Sequence, residues 1–150
     1  MLLRSDFEAQ LQPGKVFFFK NPSFPEKPHP HVCLIGKEGG IVLLASATSQ
    51  QATVERFIRY RGLPLNTIVC IRPNFINGLV KDTYINCNND PHEFDRSELW
   101  EWYSRNELQI FGELSAIDFE QVVLGLLDSP LVSISVQNTI GPLLNLPPIN

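Results

Sequence analysis

The sequence predicts one α+β domain: a small barrel-like arrangement of short strands, short helices and a C-terminal amphipathic helix. Three observations carry that expectation. Short apolar runs recur between clusters of proline, glycine and asparagine, as expected of strands joined by turns. The stretches between them offer no long crossovers of the kind that parallel strands need. Near the C-terminal end, Ile117, Phe119, Val122, Val123, Leu126 and Leu127 follow one another at mostly helical spacing, which marks an amphipathic helix.

The elements follow in order. Residues 1–13 are a lead-in with a helical turn around Phe7 to Leu11, closed by Pro13-Gly14. Lys15 to Lys20 (KVFFFK) is aromatic and β-branched with polar ends, a strand signal. NPSFPEKPHP carries four prolines in ten residues, and proline lacks an amide donor and restricts its predecessor, so this is an extended loop. A hairpin follows, with Val32 to Ile35 and Ile41 to Ala47 joined through Gly39-Gly40. Residues 51–61 place Val54, Phe57 and Ile58 on one helical face and end at Gly62 and Pro64. Thr67 to Ile71 and Thr83 to Cys87 read as strands, with Asn77-Gly78 as a turn between them. Asn88 to Asp95 reads as a polar connection, and residues 96–104 as a short helix with Asp95 at its N-cap. Glu107 to Leu114 is the last strand, in which Gly112 signals a bulge or a close backbone contact. Ser115 opens S-x-x-D, a capping-box-like start for the amphipathic helix that Ser129-Pro130 ends.

At 150 residues the chain buries a core without staples. We expect a domain over 1–133 and an extension over 134–150. That extension is apolar but rich in proline and asparagine, and is either docked or a partner-binding tail. The net charge of -4 gives no global attraction for nucleic acid, so such binding needs a local basic patch. Cys33, Cys70 and Cys87 each sit in an apolar run and read as reduced core cysteines of a cytosolic protein. The opening residues lack a signal-peptide pattern, and no apolar run approaches a membrane span. A cytoplasmic protein with no membrane association is expected.

From Pro13 to about Ser133 this order of elements resembles the MazF/PemK (Kid) toxins of toxin–antitoxin systems. The pieces are PGKVFFF, the proline-rich loop, PHVCLI, IVLLASATSQ, DTYINCNN and GELSAIDFEQVVLGLLD. The resemblance implies an SH3-like barrel that forms a homodimer and is neutralised by an antitoxin protein. It also implies a metal-independent endoribonuclease, without cofactor, that cleaves single-stranded RNA by attack of a ribose 2′-hydroxyl on the adjacent phosphate. By position the family's threonine falls on Thr48, and its catalytic arginine falls on His29, a departure from the pattern. The competing class is a catalytically inactive SH3-like barrel acting as a protein- or nucleic-acid-binding module.

The residues themselves offer paired readings. His29 and His31, two apart on an extended chain, point to the same side. Imidazoles titrate near neutrality, so one could act as base and the other as acid. Alternatively they are polar residues at a loop mouth, capping backbone groups between prolines. A metal reading of the pair needs further ligands, and only His92 or a carboxylate is in supply, so none is expected. Thr48, Ser49 and Gln50 form either a phosphate-contacting cluster or a polar exit from the sheet. Lys27, Arg56 and Arg59 are candidate substrate-binding cations. With Arg61, Phe57 and Tyr60, the two arginines form either an RNA-gripping patch or the solvated face of a helix. Trp100, Trp102 and Tyr103 belong to the core or to a partner interface.

Overall fold

A computed structural model describes residues 3–36, 40–50, 56, 59 and 61–149. The architecture is α+β. Its main sheet has five antiparallel strands in the order β6-β3-β2-β1-β7. These are β1 (Lys15–Phe19), β2 (His29–Gly36), β3 (Ile41–Ser46), β6 (His92–Asp95) and β7 (Leu108–Glu113). A second sheet pairs β4 (Ile68–Ile71) with β5 (Thr83–Asn86). The expected barrel therefore does not close: among the described residues the strands form two sheets, joined by a backbone bridge between Thr48 and Tyr84.

The strands read as continuous apolar runs because both faces of the main sheet are covered. Alternation sends Val16, Val32, Leu34 and Leu43 to one side, where they meet β4, β5 and the helix α3 (Ala116–Asp128) in the larger core cluster. The intervening residues Phe17, Phe19, Cys33, Val42 and Leu44 point the other way. There they pack on α1 (Arg4–Glu8) and α2 (Arg96–Ser104) through Phe7 and Leu99.

The predicted caps form. Asp95 accepts from the Ser97 amide to start α2, and Ser115 accepts from the Asp118 amide to start α3. Gly112 serves in both expected ways. The β1–β7 register slips beside it, between Val16 and Phe17, and a Cβ there would overlap the carbonyl oxygen of Ile76.

Several expectations are corrected. The first helical turn runs Arg4–Glu8, ahead of the predicted Phe7 to Leu11. Part of the polar connection 88–95 is strand β6, which pairs Phe94 with Val42 and buries Phe94. Cys33 and Cys87 are core thiols, and burial pushes both up to about 12. Cys70 is exposed, because β4 buries Val69 and Ile71 and turns the residue between them outward. The predicted helix over 51–61 lies mostly outside the described residues, apart from the helical Arg56, Arg59 and Arg61.

The last residues are docked. Helix α4 (Ile134–Ile140) buries Ile140 in the larger core, and the Gln137 side-chain amide donates to the carbonyls of Leu127 and Ser129 at the C-terminal end of α3. The expected boundary at 134 thus cuts through one packed core.

Candidate functional site

Thr48 sits where the two sheets meet. The Ala47 amide donates to the Pro30 carbonyl (2.9 Å), extending the β2–β3 pairing, and the next residue switches sheets. The Thr48 amide donates to the Tyr84 carbonyl (2.9 Å) and accepts the Tyr84 amide at its own carbonyl (2.7 Å). Two strands from two sheets thereby fix this backbone. Its hydroxyl oxygen accepts from the Gln50 amide at 3.2 Å, which leaves the hydroxyl proton to donate outward.

A cleft of about 230 Å³ opens beside it. Lys27, His29, Thr48 and Ser49 line one part of it, and Lys81 and the loop residues Leu79 and Val80 another. Phe18 and Phe111 close one wall as a stacked pair, centroids 4.7 Å apart and 13° from parallel. Two lysines, the Thr48 and Ser49 hydroxyls and an aromatic wall suit a phosphate with an attached planar group. Burial, and then the charge of Lys27, lower the pKa of His29, opposed by a backbone hydrogen bond at Ala47. Its imidazole is therefore neutral at pH 7 and able to take up a proton.

His31 does not reach this cleft. It is fully buried, its ring stacked on Phe19 at 4.1 Å. Nδ1 lies 2.9 Å from the His29 carbonyl, and Nε2 lies 3.2 Å from the Asn21 amide nitrogen. The Asn21 orientation is set by the Ser23 amide, which donates to its Oδ1 at 2.9 Å. Asn21 therefore donates to Nε2, and Nδ1–H donates to the carbonyl, so both nitrogens of a neutral ring are satisfied. Burial holds its pKa down at about 3, which keeps it from acid–base work at neutral pH. The expected catalytic pair is thus divided: His29 lines the cleft, and His31 is a core residue. The proline-rich loop explains the burial, because it brings Asn21 and Phe24 over the rings.

Of the other expected residues, Lys27, Thr48 and Ser49 line the cleft. Gln50 contributes its amide to the Thr48 hydroxyl. Arg56 and Arg59 are exposed and helical and are not in the cleft lining. Trp100, Trp102 and Tyr103 pack with Phe7, Phe19 and Phe94. Among the described residues, no group of three His, Cys, Asp or Glu is placed to hold a metal ion. No helix there is long and apolar enough to cross a membrane.

Sequence reasoning missed Lys81, Phe18 and Phe111. Phe18 is detectable in principle, since alternation in KVFFFK opposes it to Phe17 and Phe19. Nothing local marks Lys81, whose place depends on the bridge from β5 to Thr48. No protein-family model and no curated protein sequence matches the chain.

Proposed function

We propose that this protein is a MazF/PemK-like toxin, a metal-independent endoribonuclease that cleaves single-stranded RNA in the cytoplasm and is neutralised by an antitoxin. The observation that carries this reading is the shared cleft of Lys27, His29, Thr48, Ser49 and Lys81 beside the Phe18–Phe111 stack. His29 takes the proton of the attacking 2′-hydroxyl, as a neutral imidazole does. The 2′-oxygen forms a bond to phosphorus, and the bond from phosphorus to the 5′-oxygen of the next nucleotide breaks. The Thr48 hydroxyl donates to the phosphate oxygens, and the lysines offset the charge that develops there. The imidazolium of His29 then returns its proton to the departing oxygen. An antitoxin and a second copy of this chain are the proposed protein partners. The exposed Val80 in the cleft lining, with the exposed Phe75 and Ile76 in the same loop between β4 and β5, supports an apolar contact with the antitoxin.

The test is incubation of the purified chain with a long unstructured RNA in excess chelator. Cleavage that leaves 2′,3′-cyclic phosphate ends, and that His29→Ala abolishes, is the expected result. RNA bound but left intact at every protein concentration overturns the nuclease reading. That outcome would favour the second reading, a catalytically inactive nucleic-acid-binding module. One observation supports this rival: with His31 in the core, His29 is the only imidazole among the described residues that line the cleft, and it must serve as both base and acid.

A further inference from the structure

A second cleft, of about 430 Å³, shares Phe18 and Pro28 with the first. Its volume falls in the range of small-molecule sites, about 300–1,000 Å³. Its far side carries Trp102, Asn106 and Glu107, while Gln109 sits beside Phe18 as its partner on β7, and Lys20 flanks the cleft. The two clefts are thus contiguous at Phe18 and Pro28.

The end of α2 builds that far side. The Asn106 amide donates to the Tyr103 carbonyl and the Glu107 amide to the Trp102 carbonyl at 2.8 Å. Asn106 has φ 61°. This is a Schellman closure with asparagine at the left-handed position, where glycine carries no steric penalty. The closure holds the backbone of residues 106 and 107 rigidly at the rim. Trp102 is held from below by Phe19 and Phe94, at centroid distances of 5.3 and 5.9 Å. The ring of Trp102 and the side chains of Asn106 and Glu107 are thereby presented at a fixed turn, with Gln109 on β7 and Lys20 just past β1 beside them.

We propose that this second cleft is the subsite for a nucleobase flanking the cleaved phosphate, and that it selects guanine. The proposal rests on the reading of this protein as an RNA-cleaving enzyme. Its chemistry follows from the donor set. Guanine presents two adjacent N–H donors on its pairing edge, and the Glu107 carboxylate accepts both. Next to them lies a carbonyl oxygen, which the Lys20 ammonium or a side-chain amide of Asn106 or Gln109 can satisfy. Adenine and cytosine offer the carboxylate one amino donor beside a ring nitrogen acceptor, and uracil one N–H between two carbonyls. Each of those edges sets lone pairs against the carboxylate. Trp102 stacks on any base and supplies affinity without choice.

The test uses short RNAs that differ only in the base beside the cleaved linkage. Cleavage rates are measured, together with binding to analogues that lack the attacking 2′-hydroxyl. The intact protein is expected to favour guanine by roughly tenfold or more. Glu107→Gln should reduce that preference to within about twofold. Asn106→Gly eases the left-handed backbone, so its melting temperature should hold or rise while its preference for guanine falls. Unchanged preference in both variants, with RNA still bound and cleaved, overturns the subsite and leaves the nuclease reading standing. Absence of RNA binding by the intact protein overturns both.

Discussion

The closed side of the main sheet and the open end of its central hairpin use the same residue type for opposite purposes. His29 and His31 leave one strand two residues apart, yet the first lines a polar cleft and the second is sealed beneath Phe19, Phe24 and Asn21. The difference lies in what covers each ring. Backbone and amide partners satisfy both nitrogens of His31 and fix it as neutral, which makes it a structural group. His29 keeps partial exposure beside Lys27, Thr48 and Ser49, which leaves it free to react. A histidine's role here is set by its cover more than by its spacing.

The sharpest break of that comparison is a pair of alanine substitutions. His29→Ala should lower RNA cleavage by about 10²- to 10⁴-fold with the thermal midpoint nearly unchanged. His31→Ala should do the reverse, losing about 3–5 kcal/mol of stability as large buried rings do, measured by urea unfolding. Equal loss of activity in both variants at a temperature where both are folded would erase the distinction.

The two rings should also differ in their response to acid. The folded-state pKa of His31 is about 3, below its ordinary 6.5. As pH falls through 6.5 the unfolded chain takes up a proton that the folded chain refuses. Stability is therefore fully present above 6.5 and declines towards pH 3, by an amount on the order of a few kcal/mol by pH 4. Urea midpoints measured from pH 7 to 4 should trace that decline, and His31→Gln should flatten it even while lowering the starting value. A profile of the same slope in His31→Gln would assign the effect to other groups.

A smaller effect is expected at Asn21. Its removal leaves the buried Nε2 of His31 without a donor, which costs about 1–3 kcal/mol. Asn21→Ala should lower the unfolding free energy by that amount and leave cleavage at 25 °C intact. The smallest effect tests the open side. Lys27 holds the His29 pKa down, so Lys27→Met should raise it. In the proposed mechanism His29 acts deprotonated, so the rising limb of the pH–rate profile should then move to higher pH. A limb that stays in place would remove Lys27 from the electrostatics of the site.

Local patterns proved legible where a residue's neighbours along the chain decide its role. Asp95 and Ser115 cap helices because a short polar side chain in extended backbone meets free amides two or three residues on. The apolar spacing of 117–127 forms α3, and Gly112 marks the point where another backbone must pass. Strand β6 was hidden, since HEFD buries only Phe94 and takes its other partners from β3. Cys70 was misplaced for a related reason: an apolar run conceals which of its alternate residues faces outward.

By itself, then, the sequence determined the α+β class, the order of most strands, the starts of α2 and α3 and the convergence of His29 with Thr48 at one hairpin end. Periodicity, capping and turn chemistry are short-range effects, and they are written in consecutive residues. Tertiary structure alone decided that the sheets stay open, that His31 is sealed and that Lys81 joins Thr48. Those outcomes depend on contacts between residues far apart in the chain, such as the Thr48–Tyr84 bridge and the Asn21–His31 hydrogen bond. Burial sets the charge state of a group, and burial is a property of the packed molecule.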